Sequence, residues 1–218
     1  MHESMHTDMK DDEFNLLKNG AEALSLDVRE HALRQIRHYL DLMLHWNKKI
    51  NLTAIQDRQQ MLHAHILDSF SLIPQLMGSS SLLDVGTGAG LPGIPVAVWR
   101  PELTVTLIES NGKKVAFLNQ CKIELELDNL TVVEGRVEQW HPEGKSFDTI
   151  VCRAFSDLAQ FVSSARHLLA PGGQMIAMKG AVPYDELGRV STEVASVNTL
   201  AVTVPGLSAQ RHFIQMTL

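Results

Sequence analysis

The chain has 218 residues, 44% hydrophobic and 20% charged, a balance that excludes wholesale disorder and allows one core with a smaller appendage. Lys and Arg total 19 against 25 Asp and Glu, so the formal net charge is −6 and the basic excess of a non-specific nucleic-acid binder is missing. Two cysteines, Cys121 and Cys152, with no CxxC pair exclude a disulfide scaffold, and no HExxH or Cys/His cluster at zinc spacing points to a metal.

The first residues, MHESMHTDMKDDEF, are polar and acidic and do not have the pattern of a signal peptide. No run reaches the length that spans a bilayer, and the expectation is a soluble cytoplasmic protein without a membrane partner. Residues 13–25 predict a short helix. Leu33, Ile36, Leu40 and Met43 or Leu44 form one apolar stripe, with Asp27 as the expected cap. Leu62, Ile66, Phe70 and Ile73 form a second, ended by Pro74 and Gly78.

After residue 79 the period changes. Short apolar runs fall at Leu82–Val85, Thr104–Ile108, Leu130–Val133, Phe147–Cys152, Gln174–Met178, Leu200–Val204 and within His212–Thr217. Helical stretches are predicted between them, near 92–99, 112–126, 157–169 and 184–197. This alternation predicts an α/β fold with an open, mostly parallel sheet over 79–218, behind a helical segment over 1–78. The last two strands are joined by PGLSAQR, which is too short for a crossover helix and requires antiparallel pairing.

The first run leads into Asp84-Val85-Gly86-Thr87-Gly88-Ala89-Gly90-Leu91-Pro92-Gly93. Strand, glycines and helix start in that order bring backbone N–H groups close to a ligand. Glu109 ends the next strand, where an acid accepts hydrogen bonds from both hydroxyls of a ribose. The dinucleotide fingerprint GxGxxG fails, because Leu91 stands where its third glycine belongs. The Asp-x-Gly-x-Gly-x-Gly pattern instead resembles motif I of the class I S-adenosylmethionine-dependent methyltransferases, a Rossmann-like fold whose seven-stranded sheet ends in an antiparallel strand.

Further stretches narrow the resemblance: WNKKINLT from Trp46, HILDS from His65, GLPGIP from Gly90, GKKVAFL from Gly112, GRVE from Gly135, Arg153-Ala154-Phe155 and Met178-Lys179-Gly180. Together, from about residue 38 to residue 217, they resemble the bacterial small-subunit rRNA guanine-N7 methyltransferase family, also called glucose-inhibited division protein B. Members of that family often carry basic residues after the last strand; this sequence ends at Leu218, and an RNA contact from such a tail is not among the expectations. The resemblance implies S-adenosylmethionine as donor, S-adenosylhomocysteine as product and no metal. It implies N7 of guanine 527 in 16S rRNA as acceptor, in the 30S subunit or its precursor. Carried over by motif, Asp84, Gly86, Gly88, Leu91, Glu109, Val137, Glu138 and Arg153 hold the cofactor, Glu109 at the ribose and Val137 with Glu138 at the adenine. Arg153 faces the transfer site as a positioning residue.

Guanine N7 carries an in-plane lone pair and no proton, so transfer to it needs in-line geometry and no general base. In keeping with this, the Asn-Pro-Pro-Tyr pattern of exocyclic-amine methyltransferases is replaced by Cys152-Arg153-Ala154-Phe155. Cys152 is open to two readings, a nucleophile and a small core residue. Arg153 is open to four: a phosphate, the cofactor carboxylate, guanine O6, or a salt bridge to Asp157 or Glu138. Phe155 stacks on the base or packs in the core. Lys113, Lys114, Lys179, Arg153 and Phe155 make the expected RNA-binding set, extended by Lys48, Lys49, Arg34 and Arg37. His65, Asp68 and Ser69, spaced i, i+3, i+4, do not have catalytic-triad geometry and are expected to tie the helical segment to the sheet, as are Asn47 and Asn51. No coiled-coil seam is present, and a monomer is expected. A methyltransferase of small molecules or proteins, a nucleotide-sensing assembly factor and an NAD-linked oxidoreductase are the competing readings. The net charge then predicts weak binding of arbitrary RNA and a steep requirement for the right structure.

Overall fold

The computed structural model describes residues 2–153, 155 and 157–218, with side chains from residue 12 onward. Ala154 of the Arg153–Phe155 motif lies outside the described residues. Seven strands form one sheet: β1 (Ser81–Val85), β2 (Thr104–Glu109), β3 (Leu130–Glu134), β4 (Phe147–Arg153), β5 (Leu169–Lys179), β6 (Ser196–Val202) and β7 (Arg211–Thr217). Their order is β3-β2-β1-β4-β5-β7-β6. Strands β1 to β5 pair in parallel, and β7 runs antiparallel to both β5 and β6, as the short final connection requires.

The helices are α1 (His2–Ala23), α2 (Glu30–Asn47), α3 (Arg58–Met61), α4 (Asp68–Phe70), α5 (Gly93–Trp99), α6 (Gly112–Glu124), α7 (Leu158–Ala165) and α8 (Tyr184–Val190). A π-helical turn, Leu62–Leu67, joins α3 to α4, and a 3-10 turn, Ile73–Leu76, contains Pro74. The central strands β1, β2 and β4 are buried on both faces and alternate between two cores. Leu82, Val105, Leu107, Val151 and Ile176 face α5, α6 and the N-terminal helices. Leu83, Val85, Ile108, Ile150 and Cys152 face α7 and α8. The helical segment shares the first core, through Leu17, Leu33, Ile36, Leu40, Met61 and Phe70, with Phe70 packed against Trp99 at 4.5 Å between ring centroids.

Four local expectations need correction. The first helix begins at His2 instead of near residue 13. Asp27 does not cap α2; Arg29 occupies that position without a side-chain hydrogen bond. The second stripe is not one α-helix, because the π turn inserts a wider loop of backbone within it. The expected helix over 184–197 stops at Val190, and residues 196–202 form β6, not 200–204. Its backbone groups find partners on β7, from Ser196 opposite Thr217 to Val202 opposite Arg211, which outweighs local helical spacing. Two other helix starts carry side-chain caps that were not expected. Asn111 Oδ1 accepts from Lys113 N and Lys114 N at the start of α6, and Asp157 Oδ1 accepts from Gln160 N at the start of α7.

Candidate cofactor cleft and transfer site

The order reverses at β1, which has β2 on one side and β4 on the other, so the carboxyl ends of β1 and β4 open onto a crevice. The cleft there has a volume of about 230 Å³ and opens to solvent. Val85, Gly86, Ile108, Ser110, Val137 and Glu138 line it, and α7 contributes Ser164.

The glycine loop is gripped from several directions. Asp84, fully buried beneath it, accepts on Oδ2 from Thr87 Oγ1 at 2.6 Å and from Gly93 N at 2.8 Å. Burial pushes its carboxyl up to about 6, against the pull of those two hydrogen bonds. Glu109, 7% exposed, accepts from Gly88 N on Oε2 and from Asn111 N on Oε1, both at 2.9 Å. It thus joins the two loops that wall the cleft, and lone pairs remain on both oxygens for a diol. On the far side, Tyr39 of α2 donates its hydroxyl to Ala89 O at 2.5 Å.

Gly86 and Gly88 hold φ of +64° and +62°, a region glycine enters freely. A Cβ on Gly86 would meet nothing within 4 Å, and one on Gly88 only Gly86 O at 4.0 Å. The loop therefore leaves a cradle shaped for a ligand pressed against backbone, and the acid at Glu109 suits a ribose. These residues fit S-adenosylmethionine. Leu91 is placed differently: it is buried in the core behind the loop, where it packs and does not line the cleft. Phe155 lines the cleft beside Glu138 and packs at a tilt against Phe161, 5.6 Å between ring centroids.

Arg153, at the end of β4, is bound to neither Asp157 nor Glu138. Asp157 pairs with Arg189, and Glu138 lies 3.8 Å from Arg136. The Arg153 guanidinium turns toward the π turn, where Nη2 donates to Ala64 O at 2.8 Å and approaches His65 Nδ1 at 3.3 Å and Asp68 Oδ2 at 3.6 Å. His65 Nδ1 also lies 3.1 Å from Ala64 O, and Nε2 lies 2.8 Å from Thr53 Oγ1, so both ring nitrogens have polar partners. Burial, followed by the Arg153 cation, holds the imidazole down to about 4. Asp68 also accepts from Arg211 Nε at 2.8 Å, and Asn47 makes two 3.0 Å bonds to the Thr53 backbone. His65 and Asp68 thus do join the helical segment to the sheet, whereas Ser69 bonds only to His65 O and Asn51 is exposed. Arg153 Nη1 and Asp84 Oδ1 are buried without a hydrogen-bond partner.

Cys152 faces the second core with its thiol pushed well above the usual range by burial, which makes it a core residue. Lys179 is committed as well. Its Nζ donates to Phe155 O at 2.9 Å and to both oxygens of Glu186, and Glu186 Oε2 also accepts from Leu158 N. Lys113 is exposed and Lys114 half-buried where α6 starts, at the same end of the sheet as the cleft. Arg34 pairs with Glu30, Arg37 with Glu13, and Arg58 with Glu13 and Asp41. Tyr39, Glu186, Arg211 and the cleft-lining Ser110 and Ser164 were not singled out from sequence. Only Ser110, next to the terminal acid of β2, had a local signal.

Class I S-adenosylmethionine-dependent methyltransferases are built on this sheet, with β7 inserted antiparallel between β5 and β6, and bind their cofactor in this cleft; the chain is one of them. The solved structures it is similar to have the same fold. An O-methyltransferase from Bacillus cereus in complex with SAH matches with a TM-score of 0.55 at 19% identity, over 83% of this chain and 91% of that one. A SAM-dependent methyltransferase from Aquifex aeolicus matches with a TM-score of 0.55 at 17% identity, over 73% and 93%. Residues 32–214 match the family model described as rRNA small subunit methyltransferase G. The ribosomal RNA small subunit methyltransferase G of Chromobacterium violaceum is 48% identical over 202 residues, covering 93% of this chain and 96% of that protein. That of Methylobacillus flagellatus is 48% identical over 198 residues, covering 91% and 95%. The chain belongs to the rRNA small subunit methyltransferase G family and is an rRNA methyltransferase.

Proposed function

We propose that the chain transfers the methyl group of S-adenosylmethionine to N7 of guanine 527 in 16S rRNA, leaving S-adenosylhomocysteine. The observation that carries this reading is the set of groups at the end of β4. Arg153 only donates, His65 is buried, neutral and a weak base, Cys152 is a sealed thiol, and Asp84 lies beneath the glycine loop. Such a site holds and orients an acceptor but is poorly equipped to remove a proton. Guanine N7 has no proton to remove, and proximity with in-line alignment supplies the rate.

When bound, the cofactor supplies an electrophilic methyl on a sulfonium. The chain's residues do the rest. Asp84, Glu109 and the backbone of Gly86 to Gly90 set the loop, Glu109 takes the ribose hydroxyls, and Val137 and Glu138 border the adenine beside Phe155. Arg153, fixed by Ala64 O and Asp68, offers its unpartnered Nη1 to an oxygen of the cofactor carboxylate or of the acceptor base. Lys113, Lys114 and Arg136 lie near the mouth of the cleft and suit RNA phosphates. The reading carries no metal, a monomer acting in the cytoplasm without membrane, and a 30S particle or its precursor as substrate. Among the described residues, no helix is long and apolar enough to cross a membrane.

The test is the modified base itself. Cells lacking the gene should lose 7-methylguanosine at that position of 16S rRNA by mass mapping and regain it with the intact gene. Unchanged N7 methylation would end this reading. Labelled methyl transfer into 30S particles, compared with deproteinised 16S rRNA, identifies the form of the substrate.

A further inference from the structure

We propose that Tyr39 is a positioning residue for S-adenosylmethionine: from α2 in the helical segment it fixes the Ala89 carbonyl and so presets the glycine loop for the cofactor. The inference rests on that loop binding S-adenosylmethionine. Tyr39 is fully buried, its hydroxyl lies 2.5 Å from Ala89 O, and its ring stacks beside Phe117 of α6 at 6.3 Å between centroids.

Ala89 sits between two residues of unusual freedom, Gly88 at φ +62° and Gly90 at φ +88°. A peptide flanked by two such glycines has many conformations to lose when a ligand orders it. The Gly88 N–H is already held by Glu109 Oε2, and Thr87 is held by Asp84. Gly90 N and Leu91 N are held by Thr87 O, and between these anchors Tyr39 fixes the Ala89 carbonyl. Burial raises the phenol well above its ordinary range, so the hydroxyl stays protonated and keeps donating. A donor 50 residues upstream, on a helix that does not line the cleft, thereby pays part of the ordering cost before the cofactor arrives.

The experiment compares Tyr39→Phe with Phe117→Leu. The first removes only the hydroxyl; the second loosens the same packing without touching the Ala89 carbonyl. Tyr39→Phe should raise the Kd and KM for S-adenosylmethionine about tenfold, the scale of one buried hydrogen bond, with kcat within about threefold. Phe117→Leu should lower the melting temperature and leave both constants within about twofold. Equal cofactor affinity in Tyr39→Phe and the unsubstituted chain, or an equal loss in Phe117→Leu, overturns the proposal. If the unsubstituted chain does not bind S-adenosylmethionine, the reading of the loop fails instead.

A second measurement avoids any folding defect. The sequence holds two tyrosines. With the exposed one removed by Tyr184→Phe, 3-fluorotyrosine labelling reports on Tyr39 alone. Its fluorine resonance should already be a single sharp line in the cofactor-free chain, as a preset hydrogen bond requires, and a broadened or doubled line that S-adenosylmethionine collapses to one overturns the presetting.

Discussion

Glu109→Gln is the most incisive change available in the cleft, because it keeps the shape of the side chain and removes only one acceptor and the charge. Both carboxylate oxygens are in use, each accepting a backbone N–H at 2.9 Å, from Gly88 and from Asn111. Glutamine serves one of these N–H groups and turns a donor toward the other. One charge-assisted hydrogen bond is worth about 1.5–3 kcal/mol, and an N–H left facing a donor keeps its desolvation cost. The ribose diol would lose one of its two expected acceptors at the same position. Taking a single such loss in the bound state, the Kd for S-adenosylmethionine should rise roughly 10- to 150-fold. Titration calorimetry reads the affinity, and a circular-dichroism melt in the same buffer reads the loss shared by the free chain. An intact melt together with a Kd within threefold of the unsubstituted chain would show that Glu109 neither closes the loops nor meets the ribose.

Three other expectations follow from the same geometry. Gly86→Ala places a methyl in open space at φ +64°, so its strain is about 1–2 kcal/mol while the methyl occupies the cofactor's place; equilibrium dialysis should show more than tenfold weaker binding with only a modest drop in melting temperature. Arg153→Lys keeps a cation near Asp68 but cannot serve Ala64 O, Asp68 and a ligand together, and methylation kinetics should show kcat/KM down by roughly 100-fold. Between about pH 4 and 6 the folded chain holds a proton on Asp84, at about 6 against an ordinary 3.8, that the unfolded chain releases, so this group's contribution falls as pH rises. His65, at about 4 against an ordinary 6.5, does the opposite, since the unfolded chain binds the proton and stability rises with pH. The two slopes oppose each other at up to about 1.4 kcal/mol per pH unit. Urea midpoints at pH 4.5 and 5.5 should therefore shift downward with pH in His65→Gln relative to the unsubstituted chain, and upward in Asp84→Asn. Shifts of the same sign would refute the assignment.

What was legible in the sequence is what chemistry places close along the chain. The glycine loop, Asp84 and Glu109 all lie within one strand–loop–helix–strand unit, where residue type and backbone conformation constrain each other directly. The antiparallel ending was equally local, because a connection from Pro205 to Arg211 leaves no other geometry. Partner choice was not legible. Arg153 had acids close by in sequence at Asp157 and Glu138, yet its contacts are Ala64, His65 and Asp68, nearly 90 residues away, brought there by the π turn. Lys179 carries no sign in the sequence that Glu186 consumes its charge. The misread helix over 184–197 has a similar cause. Leu187, Val190, Val194 and Val197 recur at helical spacing, but the pairing of Val197 with Met216 on β7 decides the conformation.

The net charge of −6 takes on a more specific meaning once the ion pairs are placed. Arg37 and Arg58, on the helical segment, are neutralised by Glu13 and Asp41, and their acids help dock α1 against α2 and α3. Lys113 and Lys114 have no acidic partner among the described residues, and they stand at the end of the sheet where the cleft opens. Screening confines a charge to about 8–10 Å at physiological salt, so a phosphate at that mouth feels these lysines more than the acids on the helical face. The same helical segment that consumes cations also sends Tyr39 to the glycine loop and His65 with Asp68 to Arg153. Tyr39 lies on the face of α2 that buries Leu33, Ile36 and Leu40, and His65 and Asp68 stand beside buried Ile66 and Leu67, so packing and site geometry depend on one another. An RNA substrate thus has to approach from the side the helices leave open. There Lys113 and Lys114 stand on α6 beside Glu134, and Arg136 beside Glu138.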